Sequence, residues 1–214
     1  MRKQPMNVIA LAATKGGVGK TTLATALAVR AAEESKRVAM LDLDPQESTA
    51  AWCDRRKATN PKLFEMDATA EAIELLVSEG WRWVFIDTGP AKLELIEPGI
   101  VAADFVVIPA RPSALDIEQV GVVVELCETH DKPFAFVLNQ APPNAKITKS
   151  SAAFLRQAGR IVLDPALAYR QAYMAAMTVG KSGPEVETDG KARAEIDELW
   201  ANLKAAIAKT ETVR

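Results

Sequence analysis

The feature that most constrains this chain is a glycine-rich turn at residues 15–22, with the sequence K-G-G-V-G-K-T-T. An apolar run of strand length precedes it at residues 8–13, and an amphipathic helical pattern follows it at residues 21–34. A strand, a glycine turn and a helix in this order are typical of a nucleotide-binding βα unit. Glycines let the backbone wrap closely around an anion, and the helix start presents its N–H groups and positive dipole end. The sequence therefore predicts a phosphate-binding loop.

The polar side chains of this turn suit a nucleotide with bound magnesium. We expect Lys20 to reach the β- and γ-phosphates and the Thr21 hydroxyl to bind Mg²⁺. The spacing departs from the general pattern G-x-x-x-x-G-K-[ST], because Thr14 stands where that pattern has its first glycine, and a second lysine, Lys15, opens the loop. The alternative is a glycine-rich turn whose lysines have no role.

Two later apolar runs end in aspartate. Residues 37–42 lead into D-L-D-P-Q, which contains Asp42 and Asp44, and residues 83–87 end at Asp87, followed by T-G-P. Parallel sheets place chemistry at the carboxyl ends of their strands, and a strand-terminal aspartate holds Mg²⁺ in the Walker B pattern. An ordinary turn is the alternative for Asp87. The alternative for Asp44 is a role as a helix N-cap, with Pro45 in the first turn of that helix.

These strings resemble the ParA/MinD family of deviant Walker A ATPases, most closely its small ParA (ParF-like) plasmid partition proteins. K-G-G-V-G-K-T-T resembles the deviant Walker A box, D-L-D-P-Q the second box, and D-T-G-P the loop that senses the γ-phosphate. V-V-I-P-A-R-P-S-A-L-D at residues 106–116 and R-Q-A-Y at residues 170–173 strengthen the likeness to the small ParA proteins. With these later strings, the resemblance covers most of the chain.

The resemblance implies an ATPase that uses Mg²⁺ and forms a nucleotide-sandwich homodimer with ATP. It implies non-specific DNA binding, and a ParB-like or ribbon-helix-helix partner that stimulates hydrolysis. Lys15 would reach the phosphates of the partner subunit, and Asp44 would orient the attacking water. The implied catalytic residues are Lys15, Lys20 and Asp44, and the metal ligands are Thr21, Asp42 and Asp87. The implied nucleotide-binding residues of the turn are Lys15, Gly16, Gly17, Val18, Gly19, Lys20, Thr21 and Thr22.

Four further candidate residues lie at later strand ends. Asn139 ends an apolar run at residues 133–139, and its amide can both donate to and accept from the adenine edge. An asparagine turn is the alternative. Asp164 and Pro165 stand where members of the family close a loop over adenine. Arg111 lies in a loop that, in the family, is near the dimer face. One interpretation is that it contacts the partner subunit or the nucleotide; the alternative is a solvated loop cation.

The stretch from residue 145 to 170 is basic, although the formal net charge of the chain is −2. Any nucleic-acid contact must therefore come from a local patch. Positive side chains without interleaved aromatic residues suit contact with the DNA backbone. A solvated helix is the alternative. The candidates, which face only Asp164 within this stretch, are Lys146, Lys149, Arg156, Arg160 and Arg170.

Alternating strands and helices predict a mostly parallel, doubly wound α/β sheet of the P-loop type, in a single domain over residues 1–214. Cys53 and Cys127 are far apart, which indicates neither a disulfide nor a cysteine metal site and favours a reduced cytoplasm. The basic start at residues 1–5 flows into a core strand rather than a signal peptide. We expect no N-terminal DNA-binding extension, because the first strand begins near residue 7.

Several segments have weaker patterns. Residues 59–66 are expected to be irregular, residues 92–103 a helix broken near Pro98, residues 115–129 one long helix, and residues 180–190 a surface loop. His130 is expected to cap a helix end. The closing helix at residues 192–208 carries apolar residues at helical spacing, which favours core packing over the membrane-seeking helix of MinD relatives. These residues are Ile196, Leu199, Trp200, Leu203 and Ile207.

The leading interpretation is thus a partition ATPase that associates with the nucleoid when it holds ATP. One alternative is a MinD-like positioning ATPase that binds membranes, which the acidic start of the closing helix disfavours. Another is a metabolic P-loop ligase similar to dethiobiotin synthetase. An iron-protein-like reductase is disfavoured, because Cys53 and Cys127 do not match the cluster-ligand pattern of that branch. The sequence does not indicate the cargo.

Overall fold

A computed structural model describes residues 6–90, 92–143, 145–187 and 189–213 of the chain. The basic start at residues 1–5 lies outside the described residues, and the single domain over residues 1–214 stays a prediction. The described strands are β1 (Asn7–Leu11), β2 (Val38–Asp42), β3 (Lys62–Phe64), β4 (Trp83–Asp87), β5 (Phe105–Ala110), β6 (Phe134–Leu138) and β7 (Val162–Leu163). They form one parallel sheet in the order β3-β2-β4-β1-β5-β6-β7.

Helices cover both faces of this sheet. They are α1 (Lys20–Glu34), α2 (Ser48–Arg55), α3 (Ala70–Ser78), α4 (Leu93–Ala102), α5 (Ala114–Gln119), α6 (Gly121–Thr129), α7 (Lys146–Gln157), α8 (Gln171–Thr178), α9 (Gly183–Val186) and α10 (Lys191–Val213). Successive strand residues point to opposite faces. Ile9 and Leu11 of β1 therefore join a core with α1 and α10, while Val8 and Ala10 join a second core with α4 and α6. The predicted doubly wound α/β fold is confirmed.

The strand order determines where chemistry can occur. β1 lies between β4 and β5, and β4 lies between β1 and β2. Asp42 and Asp87 are register partners at the ends of β2 and β4, and Leu11 at the end of β1 is the other partner of Asp87. The glycine turn after β1 and the two acidic strand ends therefore meet at one edge of the sheet.

Two helical segments differ from the prediction in their continuity. α4 is continuous through Pro98, and Gly99 is needed for close packing, because a Cβ there would lie 2.6 Å from Thr88 Cγ2. The long helix expected at residues 115–129 is instead two helices, α5 and α6, which meet at Val120.

Two segments are more ordered than expected. Part of residues 59–66 forms β3, a three-residue strand that pairs with β2 at the sheet edge. Residues 180–190 contain α9, which begins with a capping box between Ser182 and Glu185. Gly183 lies directly against Tyr173, since a Cβ at this glycine would be 2.4 Å from the ring. Short elements of this kind are fixed by tertiary packing, which a local pattern does not contain.

The closing helix α10 packs into the core. Trp200 is buried and its ring lies 4.6 Å from that of Trp83, centroid to centroid. The other four apolar residues at helical spacing are buried as well, so the prediction of core packing is confirmed. In the described part of the chain, we find no helix that combines the length and the apolar character needed to cross a bilayer. His130 forms a contact of 2.7 Å between its Nε2 and Glu97 Oε1.

Replacing Trp200 with alanine is expected to lower the free energy of unfolding by about 3–5 kcal/mol, because the substitution leaves a large cavity beside β4. Urea unfolding followed by circular dichroism measures this change. Lys209→Ala, at an exposed position of the same helix, is the control, and it should shift stability by less than about 0.5 kcal/mol. Equal, small losses in both variants would contradict core packing of α10.

Candidate functional site

The glycine turn lies between β1 and α1 with two glycines in the left-handed region, Gly17 at φ 73° and Gly19 at φ 91°. Residues with a side chain adopt this region at a cost of about 1–2 kcal/mol. Gly19 is also the N-cap of α1, and a Cβ at this position would lie 2.4 Å from Asn139 Nδ2. Glycine is therefore needed at position 19 both for the backbone conformation and for the close approach of Asn139.

A fully buried carboxylate, that of Asp87, lies beside the start of α1. Its Oδ2 accepts hydrogen bonds from Thr21 Oγ1 at 2.6 Å and from Thr49 Oγ1 at 2.8 Å. Burial raises the pKa of Asp87 to about 7, although both hydroxyls act in the opposite direction. Its Oδ1 has no hydrogen-bond partner among the residues that the structure describes. A buried carboxylate oxygen left open beside a threonine hydroxyl fits a Mg²⁺ ligand, so Thr21 and Asp87 suit the metal role predicted for them.

Lys20 is the first residue of α1, and only 7% of its surface is exposed. Burial lowers the pKa of its ammonium group, while the charges of Asp87 and Asp44 act to raise it. A buried cation at a helix N-terminus provides strong electrostatic attraction for phosphate, because little water screens it. This placement suits the role predicted for Lys20.

The two carboxylates after β2 have different partners. Asp42 Oδ2 accepts from the N–H groups of Thr49 and Ala50, at 2.9 and 3.0 Å, and its Oδ1 accepts from the N–H of Asp44 at 3.1 Å. Asp44 Oδ1 accepts from the N–H of Gln46 at 2.9 Å. Asp42 therefore holds the first turn of α2 and the loop that carries Asp44. A direct contact between Asp42 and a metal stays a prediction.

The interpretation of Asp44 as a helix N-cap with Pro45 in the first turn is wrong. α2 begins at Ser48, and its N-cap is Glu47, at a left-handed φ of 52°. The backbone between Asp42 and Ser48 therefore does not follow helical geometry, and Asp42 supplies the carboxylate at the helix start. Asp44 remains half-buried in the loop, where its charge is close enough to influence Lys20.

The second lysine of the turn faces another element. Lys15 Nζ lies 2.8 Å from Asp116 Oδ1 of α5, and its side chain is 36% exposed whereas that of Asp116 is 8% exposed. Ser113, the N-cap of α5, also hydrogen-bonds the Asp116 carboxylate. Although burial acts to raise it, these contacts lower the pKa of Asp116 below its ordinary value. Lys15 is thus paired with α5, while Lys20 lies at the start of α1.

Of the residues expected near adenine, only Asn139 lies beside the glycine turn. Asn139 Nδ2 donates to the Val18 carbonyl over 2.8 Å, and Asn139 Oδ1 accepts from the N–H of Gln140 over 2.9 Å. A cavity of about 80 Å³ lies beside the turn, and we call it the loop cavity. Its lining includes Gly19, Thr22, Leu23, Asn139, Gln140, Leu167, Ala168, Tyr169, Arg170, Tyr173 and Met174.

The structure does not bring Asp164 and Pro165 to the loop cavity. Asp164 instead lines a separate cavity of about 830 Å³ at the free edge of β7, and it pairs with Arg156 at 2.6 Å. The chain passes the loop cavity three residues later, at Leu167, whose N–H donates to the Leu138 carbonyl. An adenine contact from residues 164–165 would need this segment to move.

The basic stretch has more acidic partners than Asp164. Arg160 pairs with Glu128 at 2.6 Å, and Arg170 pairs with Glu195 at 2.5 Å and with Glu187 at 3.5 Å. Three of the five candidates, including Arg156, are therefore neutralised. Lys146 and Lys149 of α7 are exposed, and the described chain contains no ion pair to either of them.

Three residues of the site were missed by the sequence analysis. Thr49 is a buried threonine among the hydrophilic residues that start α2, and nothing in its local pattern indicates a contact with Asp87. Gln140 lies against the glycine turn only because of the strand order. Asp116 had a local signal, since Ser113 and Asp116 have the spacing of a helix capping box.

The sequence matches a family profile described as the CobQ/CobB/MinD/ParA nucleotide binding domain over residues 9–182. Maintenance of carboxysome distribution protein A from Halothiobacillus neapolitanus is 28% identical over 198 residues, which cover 87% of this chain and 91% of that protein. Protein ParA from Rhizobium radiobacter is 28% identical over 222 residues, which cover 98% of this chain and 100% of that protein.

Solved structures share the fold. The MinC:MinD cell division protein complex of Aquifex aeolicus aligns with a TM-score of 0.77 at 15% identity, covering 94% of this chain and 96% of that one. A Cyanothece McdA variant in complex with ATP aligns with a TM-score of 0.72 at 16% identity, covering 95% of this chain and 96% of that one. At this level of identity, the likeness extends to the fold alone.

Substituting Gly19 with alanine is expected to weaken ADP binding by at least about 10-fold, because the new Cβ strains the backbone and displaces the Asn139 amide. Fluorescent ADP titration measures the affinity. Gly159→Ala is the matched control, since Gly159 also has a positive φ, of 74°, but open space around the position of a Cβ. Both variants should lose the stability that a side chain at a positive φ costs, and only Gly19→Ala should lose affinity. Unchanged ADP binding by Gly19→Ala would argue against a phosphate site at this turn.

Proposed function

Because this chain belongs to the CobQ/CobB/MinD/ParA nucleotide-binding domain family, we propose that it is a ParA-type ATPase that moves or positions a cargo. In this proposal the protein binds ATP with Mg²⁺, forms a homodimer with nucleotide between the subunits, and binds DNA non-specifically. A ParB-like or ribbon-helix-helix partner then stimulates hydrolysis. Two relatives that match along most of the chain are named Protein ParA and Maintenance of carboxysome distribution protein A, which supports this class of task.

The observation that carries the proposal is the separation of the two lysines of the glycine turn. Lys20 is buried at the start of α1 and is suited to the phosphates of its own subunit. Lys15 is more exposed and is directed to Asp116, on α5. A second cation at the outer edge of the turn is available to a nucleotide in a facing subunit, as the family resemblance implies.

In the proposed hydrolysis, water attacks the γ-phosphate in line with the leaving group. Lys20 and Lys15 would balance the charge that develops on the phosphate oxygens. Thr21 and Asp87 would hold Mg²⁺, which neutralises phosphate charge when bound. Asp44 would orient the water, and Asp42 supports it by accepting the N–H of Asp44 and the first N–H groups of α2.

Lys15→Gln is expected to abolish dimer formation with a non-hydrolysable ATP analogue, because glutamine cannot supply the positive charge to the facing nucleotide. Light scattering after size exclusion measures the mass. Affinity for ADP should stay within about threefold, since Lys20 and the backbone N–H groups remain. Lys57→Gln, an exposed lysine after α2, is the control for charge loss. A Lys15→Gln protein that still dimerises with the analogue would refute the role in the partner's site.

DNA binding is proposed through α7, where Lys146 and Lys149 are exposed, and it would make the protein nucleoid-associated in the cytoplasm. A membrane-binding ATPase like MinD is the second candidate. It is less favoured because the apolar face of α10 is already buried in the core. A ligase would instead need a small acceptor for turnover, whereas the partition function predicts slow turnover raised by DNA and a protein partner.

Lys146→Glu with Lys149→Glu is expected to weaken DNA retardation in the presence of ATP by about 10-fold or more, because two phosphate contacts become repulsive. The double variant Lys36→Glu, Lys209→Glu makes the same charge change at exposed positions outside α7 and should have a smaller effect. Liposome co-sedimentation with ATP is the parallel measurement. Lipid binding without DNA binding by the wild-type protein would favour the MinD-like candidate.

A further inference from the structure

Three side chains that follow β5 and β6 contact the glycine turn from outside. The sheet order places β1 beside β5 and β5 beside β6, so the loops that leave these strands are neighbours. Arg111 directly follows β5, and Asn139 and Gln140 directly follow β6. The N–H of Asn139 donates to the carbonyl of Ala110 over 2.8 Å, which joins the two loops.

Two of these side chains converge on one carbonyl oxygen. Arg111 Nη2 lies 2.5 Å and Gln140 Nε2 lies 3.0 Å from the oxygen of Gly17. Arg111 Nε also donates to Gln140 Oε1 over 2.8 Å, so each side chain fixes the other. A carbonyl oxygen has two lone pairs, and this one accepts two hydrogen bonds. The next carbonyl, that of Val18, is held by Asn139 Nδ2.

Holding these carbonyls also orients the N–H groups of the turn. In a planar trans peptide, the C=O of one residue and the N–H of the next point in opposite directions. With the carbonyls of Gly17 and Val18 bonded to the outer side chains, the N–H groups of Val18 and Gly19 point away from those side chains. Neither N–H group forms a hydrogen bond within the part of the chain that the structure describes. Both N–H groups are therefore available to bind an anion.

The backbone of this contact is itself unusual. Gln140 is a non-glycine residue at φ 53°, in the left-handed region. Its N–H donates to Asn139 Oδ1 over 2.9 Å, which holds the peptide in this conformation. Strained backbone of this kind is retained where the surroundings enforce it, and it concentrates at functional sites. The conformation directs the Gln140 side chain to the Gly17 carbonyl.

We propose that Arg111 and Gln140 are positioning residues that, with Asn139, hold the carbonyls of Gly17 and Val18 outward. We name these three side chains the carbonyl clamp. The clamp arranges the N–H groups of Val18 and Gly19 for phosphate before any nucleotide binds, and Arg111 acts through the turn rather than as a counter-charge to the γ-phosphate. The inference rests on the proposed function only in requiring that a nucleotide binds at this turn.

The test compares Arg111→Lys, Arg111→Met and Gln140→Met with the wild-type protein. Each variant is expected to weaken ADP and ATP binding by the same factor, about 10-fold, because a hydrogen bond that holds the Gly17 carbonyl is lost. Arg111→Lys should resemble Arg111→Met, since lysine cannot supply the two-pronged geometry of a guanidinium. Without nucleotide, amide hydrogen exchange at residues 15–20 should be faster in all three variants. Fluorescent nucleotide titration and exchange mass spectrometry measure these effects.

Arg193→Met is the matched control. Arg193 also contacts two residues, Glu33 near the C-terminal end of α1 and Asp197 of α10, each at 2.7 Å, and neither belongs to the turn. Affinity and exchange at the turn should therefore stay unchanged. Thermal unfolding without nucleotide reports whether each variant folds, and Gln140→Met, which removes no charge, carries the test if Arg111→Met does not.

Two results would overturn the inference alone. In the first, the wild-type protein binds nucleotide and the variants bind it equally well. In the second, Arg111→Lys binds like the wild type while Arg111→Met loses affinity for ATP more than for ADP, which would assign Arg111 a direct charge role at the γ-phosphate. A wild-type protein that binds neither ADP nor ATP would instead overturn the proposed function, and the inference with it.

Discussion

The site is built around the buried carboxylate of Asp87. Desolvating a carboxylate costs several kcal/mol unless other groups compensate it. Here the hydroxyls of Thr21 and Thr49 donate to one oxygen, and Lys20 supplies a nearby positive charge. These partners come from the starts of α1 and α2, so one acceptor joins both helices to the end of β4. Each of these polar groups would be unfavourable if it were buried without the others. They can be buried because the hydroxyls and the ammonium group compensate the carboxylate.

The helix α2 extends from this site to the turn between α8 and α9, and contacts hold it at both ends. Asp42 accepts N–H groups at the start of this helix, while near its end Trp52 Nε1 donates to the Lys181 carbonyl over 2.9 Å. Arg56, which follows α2, donates to the Gly180 carbonyl and pairs with Glu185. Contacts at both ends of α2 therefore connect the Asp42 loop to the turn between α8 and α9. Tyr173 and Met174 of α8 also line the loop cavity.

The fold and the position of the glycine turn were predictable because their determinants are local. A buried parallel strand is a short apolar run, and glycine at a left-handed φ is visible in the sequence. The partners of the basic stretch were not predictable, because Glu128 and Glu195 lie outside it and reach Arg160 and Arg170 only through tertiary packing. The sequence analysis named Arg111 and Asn139 as candidates but did not predict their contacts with the turn. The reason is the same, since the side chains that touch Gly17 are about a hundred residues away along the chain.

The ion pair between Lys15 and Asp116 lies within one subunit, and it affects how a second subunit could contact this turn. The lysine is about one-third exposed, whereas the carboxylate of Asp116 is only 8% exposed. A facing triphosphate carries more charge than one carboxylate and offers more acceptor oxygens, so exchange of partner would be favourable for Lys15. Asp116 Oδ2 would keep the hydrogen bond that it accepts from Ser113 Oγ, and the N–H of Asp116 would keep the one that it donates to the same hydroxyl. The pair therefore holds the lysine near the turn, and releasing it for a partner subunit would leave Oδ1 of the buried Asp116 without its ion-pair partner.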